Sequence, residues 1–181
     1  MFNNTIYNEM LIHVPLCTHR EPKDILILSQ NRKYIKEFSR YSEIDFKFGD
    51  LDDLLKSKDK SLDIIISDEK KLHDNTFFAQ LNRVLKDDGL FVIDGFDQST
   101  NLDKHKELLK NAGSLFGIVM PYKYSDGHFI LGSKKYHPTA DIILQRADLI
   151  DDLYYYNSDI HKCAFIMPTY IDKELLGLAK K

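Results

Sequence analysis

Cysteine is nearly absent. The two in 181 residues, Cys17 and Cys163, lie far apart, which excludes a disulfide framework and any closely spaced thiolate metal site. Nothing near either one would activate a thiol, so both read as buried or inert. Long apolar runs are missing as well, and none approaches the ~20 residues that cross a bilayer. The start, Met1-Phe2-Asn3-Asn4, lacks the basic residues and apolar core of a secretory signal. No block of one charge sign occurs, and the net charge is −3. Phosphate binding needs a concentrated basic face, so nucleic acid is not an expected partner. These absences predict a reduced, cytoplasmic protein without a membrane partner. Repeats, linkers and low-complexity stretches are also lacking, so residues 1–181 read as a single domain large enough for a sizeable core.

What is present is apolar strand pattern alternating with helical pattern. Leu62-Asp63-Ile64-Ile65-Ile66 reads as a strand buried on both faces, as in a parallel sheet covered by helices. Ile25-Leu26-Ile27-Leu28 and Leu90-Phe91-Val92-Ile93 repeat that pattern, and Ile44, Phe46 and Phe48 alternate. Between them come helical stripes: a short helix around Ile6, Met10 and Leu11 that should end near Pro15, one over Asn31–Tyr41, a short one over Asp52–Lys58, one through Phe77, Phe78, Leu81, Val84 and Leu85, and one over Asp103–Ala112. The run Asp87-Asp88-Gly89 reads as the stop of the fourth. Leu115–Met120 and His128–Leu131 are separated only by Tyr124-Ser125-Asp126-Gly127, too little for a crossover helix, so they should pair as an antiparallel hairpin. A last helix is expected near Thr169–Leu178. The fold class is α/β, a Rossmann-like methyltransferase-type arrangement with a mostly parallel sheet and a C-terminal antiparallel β-hairpin.

In such a sheet ligands sit beyond the carboxyl ends of the strands. Asp68 and Asp94 fall at those ends. By residue type each is a loop cap or a functional carboxylate.

The segment Tyr7-Asn8-Glu9-Met10-Leu11-Ile12-His13-Val14-Pro15-Leu16, followed by His19, Pro22-Lys23 and Ile25-Leu26-Ile27, resembles the N-terminal signature of the polyamine aminopropyltransferases, the spermidine synthases. Tyr155-Tyr156-Asn157-Ser158-Asp159-Ile160-His161-Lys162-Cys163-Ala164-Phe165-Ile166-Met167-Pro168 resembles that family's C-terminal signature. The resemblance implies transfer of an aminopropyl group from decarboxylated S-adenosylmethionine, a co-substrate, to putrescine, giving spermidine and methylthioadenosine. It implies small-molecule substrates, no cofactor and no metal, and a homodimer. Asp68 falls where the family has its base. Tyr7, Asn8, Asp94 and Tyr124 fall around the diamine, with Tyr122 in place of Tyr124 if the alignment slips. Asp50 is either the ribose acid or the adenine acid.

The family's glycine-rich loop is replaced here by Ser29-Gln30-Asn31-Arg32-Lys33-Tyr34. One strand, Ile44–Phe48, stands where two are expected, and Lys71 replaces the second aspartate of the catalytic motif. The segment from Asp68 to Phe77 is shortened, and the family's N-terminal β domain has no counterpart. These departures open a second reading, a catalytically weak or inactive paralogue that keeps the fold and acts as a binding or assembly protein. Methyl transfer is disfavoured, because both signatures belong to polyamine enzymes. His13 and His19 read as packing residues. The Tyr155-Tyr156 and His161 block reads as a structural closure over the core, and Phe46, Phe48, Phe77 and Phe78 read as core.

Overall fold

The computed structural model describes the chain apart from Met1, residues 70–73, Asp97, residues 99–100 and Asp126, and it gives no side-chain detail for Phe2 and Asn3. Lys71 and the centre of the shortened segment therefore lie outside the described residues. Among the described residues, no helix is long and apolar enough to cross a membrane.

The sheet has six strands: β1 (Asp24–Leu28), β2 (Asp45–Gly49), β3 (Leu62–Ser67), β4 (Leu85–Asp94), β5 (Ile118–Tyr124) and β6 (Gly127–Ser133). Their spatial order is β2-β1-β3-β4-β6-β5. The first four run parallel, while β6 inserts antiparallel between β4 and β5. The parallel sheet and the final hairpin are those predicted. All six residues of β3 are buried, as a strand covered on both faces requires.

Helices cover the two faces: α1 (Phe2–Thr18), α2 (Ile35–Phe38), α3 (Leu51–Lys56), α4 (Asn75–Val84), α5 (Leu102–Gly113), α6 (Leu144–Asp148), α7 (Ser158–Ala164) and α8 (Thr169–Glu174). Alternation along the strands divides the core in two. Ile25, Ile27, Ile64 and Ile66 face a cluster with Met10, Tyr34, Tyr122 and Phe165. Leu26, Leu28, Ile65 and Phe91 face a second one with Phe78, Leu81, Leu108 and Phe116.

Four expectations about elements need correction. The first helix does not stop at Pro15; α1 runs to Thr18 with the proline inside. A mid-helix proline costs ~3 kcal/mol, but Met10, Leu11, Ile12, Val14, Leu16 and Cys17 are all fully buried, and that burial outweighs the lost bond. The helix expected over Asn31–Tyr41 is a 3-10 turn, Arg32–Tyr34, followed by the four residues of α2. The side chain of Asn31 accepts a bond from Lys33 N–H and tightens that turn. Asp87-Asp88-Gly89 is not an interruption. It lies within β4, beside an irregularity in the β3–β4 register, because Leu85 is already buried and paired with Leu62. The last helix ends at Glu174 instead of running to Leu178.

The ends of the chain are tied together by one buried side chain. The Glu9 carboxylate accepts backbone N–H groups of Tyr154, Tyr155 and Tyr156 at 2.8, 2.8 and 2.9 Å. His161 lies beneath that segment, fully buried. Its Nδ1 meets the Tyr156 hydroxyl at 2.8 Å and its Nε2 meets Pro138 O at 3.0 Å. Cys17 is buried and its thiol is pushed up chiefly by that burial. Cys163, on the short α7, is exposed.

Candidate active site

Registered parallel strands bring their last residues into one row. Leu28 of β1 stands beside Gly49 of β2 and Ser67 of β3, and Ser67 beside Ile93 of β4. The residues that follow form the carboxyl edge: Ser29, Asp50, Asp68 and Asp94. Strand β5 runs parallel to β4, since both are antiparallel to β6, so Tyr124 ends at the same edge.

Asp68 is half-buried. Its Oδ2 accepts the Ser29 hydroxyl at 2.7 Å and the Tyr34 hydroxyl at 2.6 Å. On the neighbouring strand, Asp94 is 6% exposed, and its Oδ2 accepts the Tyr7 hydroxyl at 3.2 Å. The Tyr7 ring meets Tyr124 edge-on at 5.0 Å and Phe129 at 4.9 Å, while Tyr124 stacks on Phe129 at 4.3 Å. Burial raises the Tyr7 phenol far above its ordinary value, helped by the negative charges of Asp94 and Asp68. Tyr34 is raised likewise, first by burial and then by its bond to Asp68. Both phenols therefore remain hydroxyl donors beside two carboxylates.

Of the residues singled out from sequence, Tyr7, Asp68, Asp94 and Tyr124 come together. Tyr122 does not join them, because its ring is fully buried and its hydroxyl bonds to Met10 O at 3.2 Å. Asn8 lies one residue on in α1, turned about 100° from Tyr7, and is buried. Asp50 sits on the correct edge but caps α3: one of its oxygens accepts Asp53 N–H at 3.0 Å, and Asp53 accepts Asp50 N–H at 3.1 Å. The residue as a whole is exposed. Two members of the cluster were not anticipated, Tyr34 and Ser29. Tyr34 carried only a helical-stripe signal, and nothing local marks a hydroxyl that bonds to a residue 34 positions away.

A different group lies at the opposite edge of the sheet. Ligand atoms of His19, Asp63 and Asp88 lie within 4.8 Å of one another, a separation that a metal ion could bridge. Two contacts argue against that use. Glu21 N–H donates to His19 Nδ1 at 3.3 Å, which leaves the proton on Nε2. Lys86 Nζ already sits 2.9 Å from Asp63 Oδ1. Burial alone would raise the Asp63 carboxyl, but Asp24 N–H, Lys86 and Lys23 N–H bring it below its ordinary value. The group is an internal charge lock between the starts of β1, β3 and β4.

No protein-family profile matches the chain. Individual proteins do. The polyamine aminopropyltransferase of Clostridium beijerinckii is 28% identical over 225 residues, covering 96% of this chain and 78% of that protein. That of Helicobacter acinonychis is 27% identical over 213 residues, covering 97% and 79%. The chain is thus similar, over nearly its whole length, to members of the spermidine synthase family. Solved structures agree on the fold. A spermidine synthase in complex with the transition-state analogue AdoDATO superposes with a TM-score of 0.86 at 21% identity, over 96% of this chain and 76% of that one. The spermidine synthase from Thermotoga maritima gives 0.79 at 23% identity, over 96% and 74%. The Rossmann-like fold expected from the sequence is thus shown by architecture, and the relatives named here are the polyamine enzymes that the two signatures resemble.

Proposed function

We propose that the protein transfers the aminopropyl group of decarboxylated S-adenosylmethionine to putrescine. The observation that carries this reading is the meeting of Asp68, Asp94, Tyr7 and Tyr124 at the carboxyl edge of the sheet, in a chain similar to members of this family. The reaction needs no cofactor, because the sulfonium of the donor is itself the leaving group. An amine nitrogen attacks the methylene carbon bonded to sulfur. The N–C bond forms as the C–S bond breaks, and the electron pair of that bond returns to sulfur, leaving neutral methylthioadenosine. The attacking nitrogen loses a proton to Asp68.

A free primary amine is mostly protonated at neutral pH, its pKa being about 10, so a carboxylate base raises the attacking fraction. Asp94, braced by the Tyr7 hydroxyl, would hold the far ammonium of the diamine. The ring faces of Tyr7 and Tyr124 suit a cation with an apolar chain between its charges. Asp50, exposed at the same edge, would meet the nucleoside. We propose a homodimer as the active form, checked by light scattering.

One observation favours the second reading, a binding or assembly paralogue: Tyr34 and Ser29 stand on Asp68 where a glycine-rich loop is expected. Calorimetry with methylthioadenosine decides between them. Measurable heat at millimolar ligand supports the enzyme, and its absence removes it. Incubation with decarboxylated S-adenosylmethionine and putrescine should then yield spermidine by mass spectrometry.

A further inference from the structure

After β1 the chain turns sharply because two side chains accept consecutive backbone bonds. Ser29 Oγ accepts Asn31 N–H at 2.9 Å, and Asn31 Oδ1 accepts Lys33 N–H at 3.1 Å. Arg32 points outward over the Phe48 ring, 4.2 Å from its centroid, which turns the Tyr34 ring inward. Tyr34 is 1% exposed and packs with Ile25, Ile27 and Phe38. Its hydroxyl donates to the Oδ2 of Asp68 at 2.6 Å, with the side chains of Asn31 and Tyr7 also beside it.

We propose that Tyr34 is a positioning residue for Asp68: with Ser29 it holds Oδ2 from behind, so that Oδ1 is the oxygen presented to the attacking amine. The proposal rests on the aminopropyltransferase reading. Both hydroxyls meet the same oxygen, at 2.7 and 2.6 Å, which prevents the carboxyl from rotating and leaves Oδ1 committed to neither. Ser29 is itself pinned by Asn31 N–H, so the two donors approach from a rigid turn. The buried Tyr34 phenol stays protonated and so remains a donor at every working pH.

The test compares Tyr34→Phe, which keeps the packed ring, with Ser29→Ala and the parent chain. Donor bonds to a charged group are the strong ones, so the expected fall in kcat for Tyr34→Phe is roughly tenfold or more, with KM for the nucleoside donor within about twofold of the parent. Ser29→Ala should lower kcat in the same way and by less. Proton NMR supplies a signature independent of turnover: a slowly exchanging hydroxyl resonance, lost in Tyr34→Phe and displaced in Asp68→Asn. A kcat that falls while the hydroxyl resonance is unchanged in Asp68→Asn would mean that the ring only packs, and the positioning role is then wrong. A Tyr34→Phe enzyme as fast as the parent overturns it too, while the aminopropyl reading stands. A parent chain that binds no nucleoside and makes no spermidine removes both.

Discussion

Glu9 offers the sharpest test of how α1, the helix that carries Tyr7, is held to the C-terminal block. It is 1% exposed, and its two oxygens accept three consecutive backbone N–H groups, those of Tyr154, Tyr155 and Tyr156. Tyr7 lies two residues earlier, about half a turn along the same helix. Hydrogen bonds to a charged group contribute about 1.5–3 kcal/mol each, and a buried amide left without a partner adds its own cost. The three bonds share one carboxylate and are not additive, so Glu9→Ala is expected to destabilise the fold by about 4 kcal/mol. For a chain of this size the melting temperature falls ~2–4 °C per kcal/mol, or roughly 8–16 °C in total. Glu9→Gln keeps the shape but turns an amide NH2 toward one of the three donors, and should lose about half as much. Thermal unfolding followed by circular dichroism measures both. Limited proteolysis should find new cleavage around residues 150–157 in Glu9→Ala. A drop under about 3 °C, with that segment still protected, would refute the view that this carboxylate pins the C-terminal block.

His105 and His161 are fully buried, and burial lowers each to about 4. The folded values lie below that of an unfolded histidine, so the unfolded chain takes up protons first as pH falls. Stability is therefore complete above about pH 6.5 and drains toward pH 4, by about 3 kcal/mol for each histidine. Urea unfolding at pH 7 and pH 4.5 should show the loss, and His161→Gln should flatten it; an equally steep profile in that variant would exclude His161. Arg146 Nη1 donates to Leu16 O at 2.6 Å and to His19 O at 2.7 Å, and Nη2 donates to Arg20 O at 2.8 Å. Arg146→Met strips these carbonyls at the end of α1 and should cost about 2–3 kcal/mol in chemical unfolding; a loss within about 0.5 kcal/mol would place the bonds at the unimportant surface. Asp68→Asn should lower turnover by roughly a hundredfold or more while the melting temperature is kept; unchanged turnover would remove Asp68 as the base.

The parallel strands were legible because a strand covered on both faces must be apolar at every position, and Ile64-Ile65-Ile66 and Leu90-Phe91-Val92-Ile93 are. The hairpin was legible from the shortness of its connection. Pro15 misled because a local rule about proline says nothing of the burial surrounding α1, and the Tyr34 stripe misled because a 3-10 turn uses inward spacing much as a helix does. Asp68, Asp94, Tyr7 and Tyr124 could be named from position and resemblance, whereas Asp50 could not be recognised as a helix cap without seeing Asp53 return its bond.

By itself, then, the order of residues determined the sheet, its helical cover and the acids at its carboxyl edge, since period and composition act over a few neighbours. Only the tertiary structure decided which groups meet. Glu9 reaches Tyr154–Tyr156 across about 145 positions, and Tyr34 reaches Asp68 across 34. A hydrogen bond depends on atoms about 3 Å apart in space, and no local pattern records who will stand there.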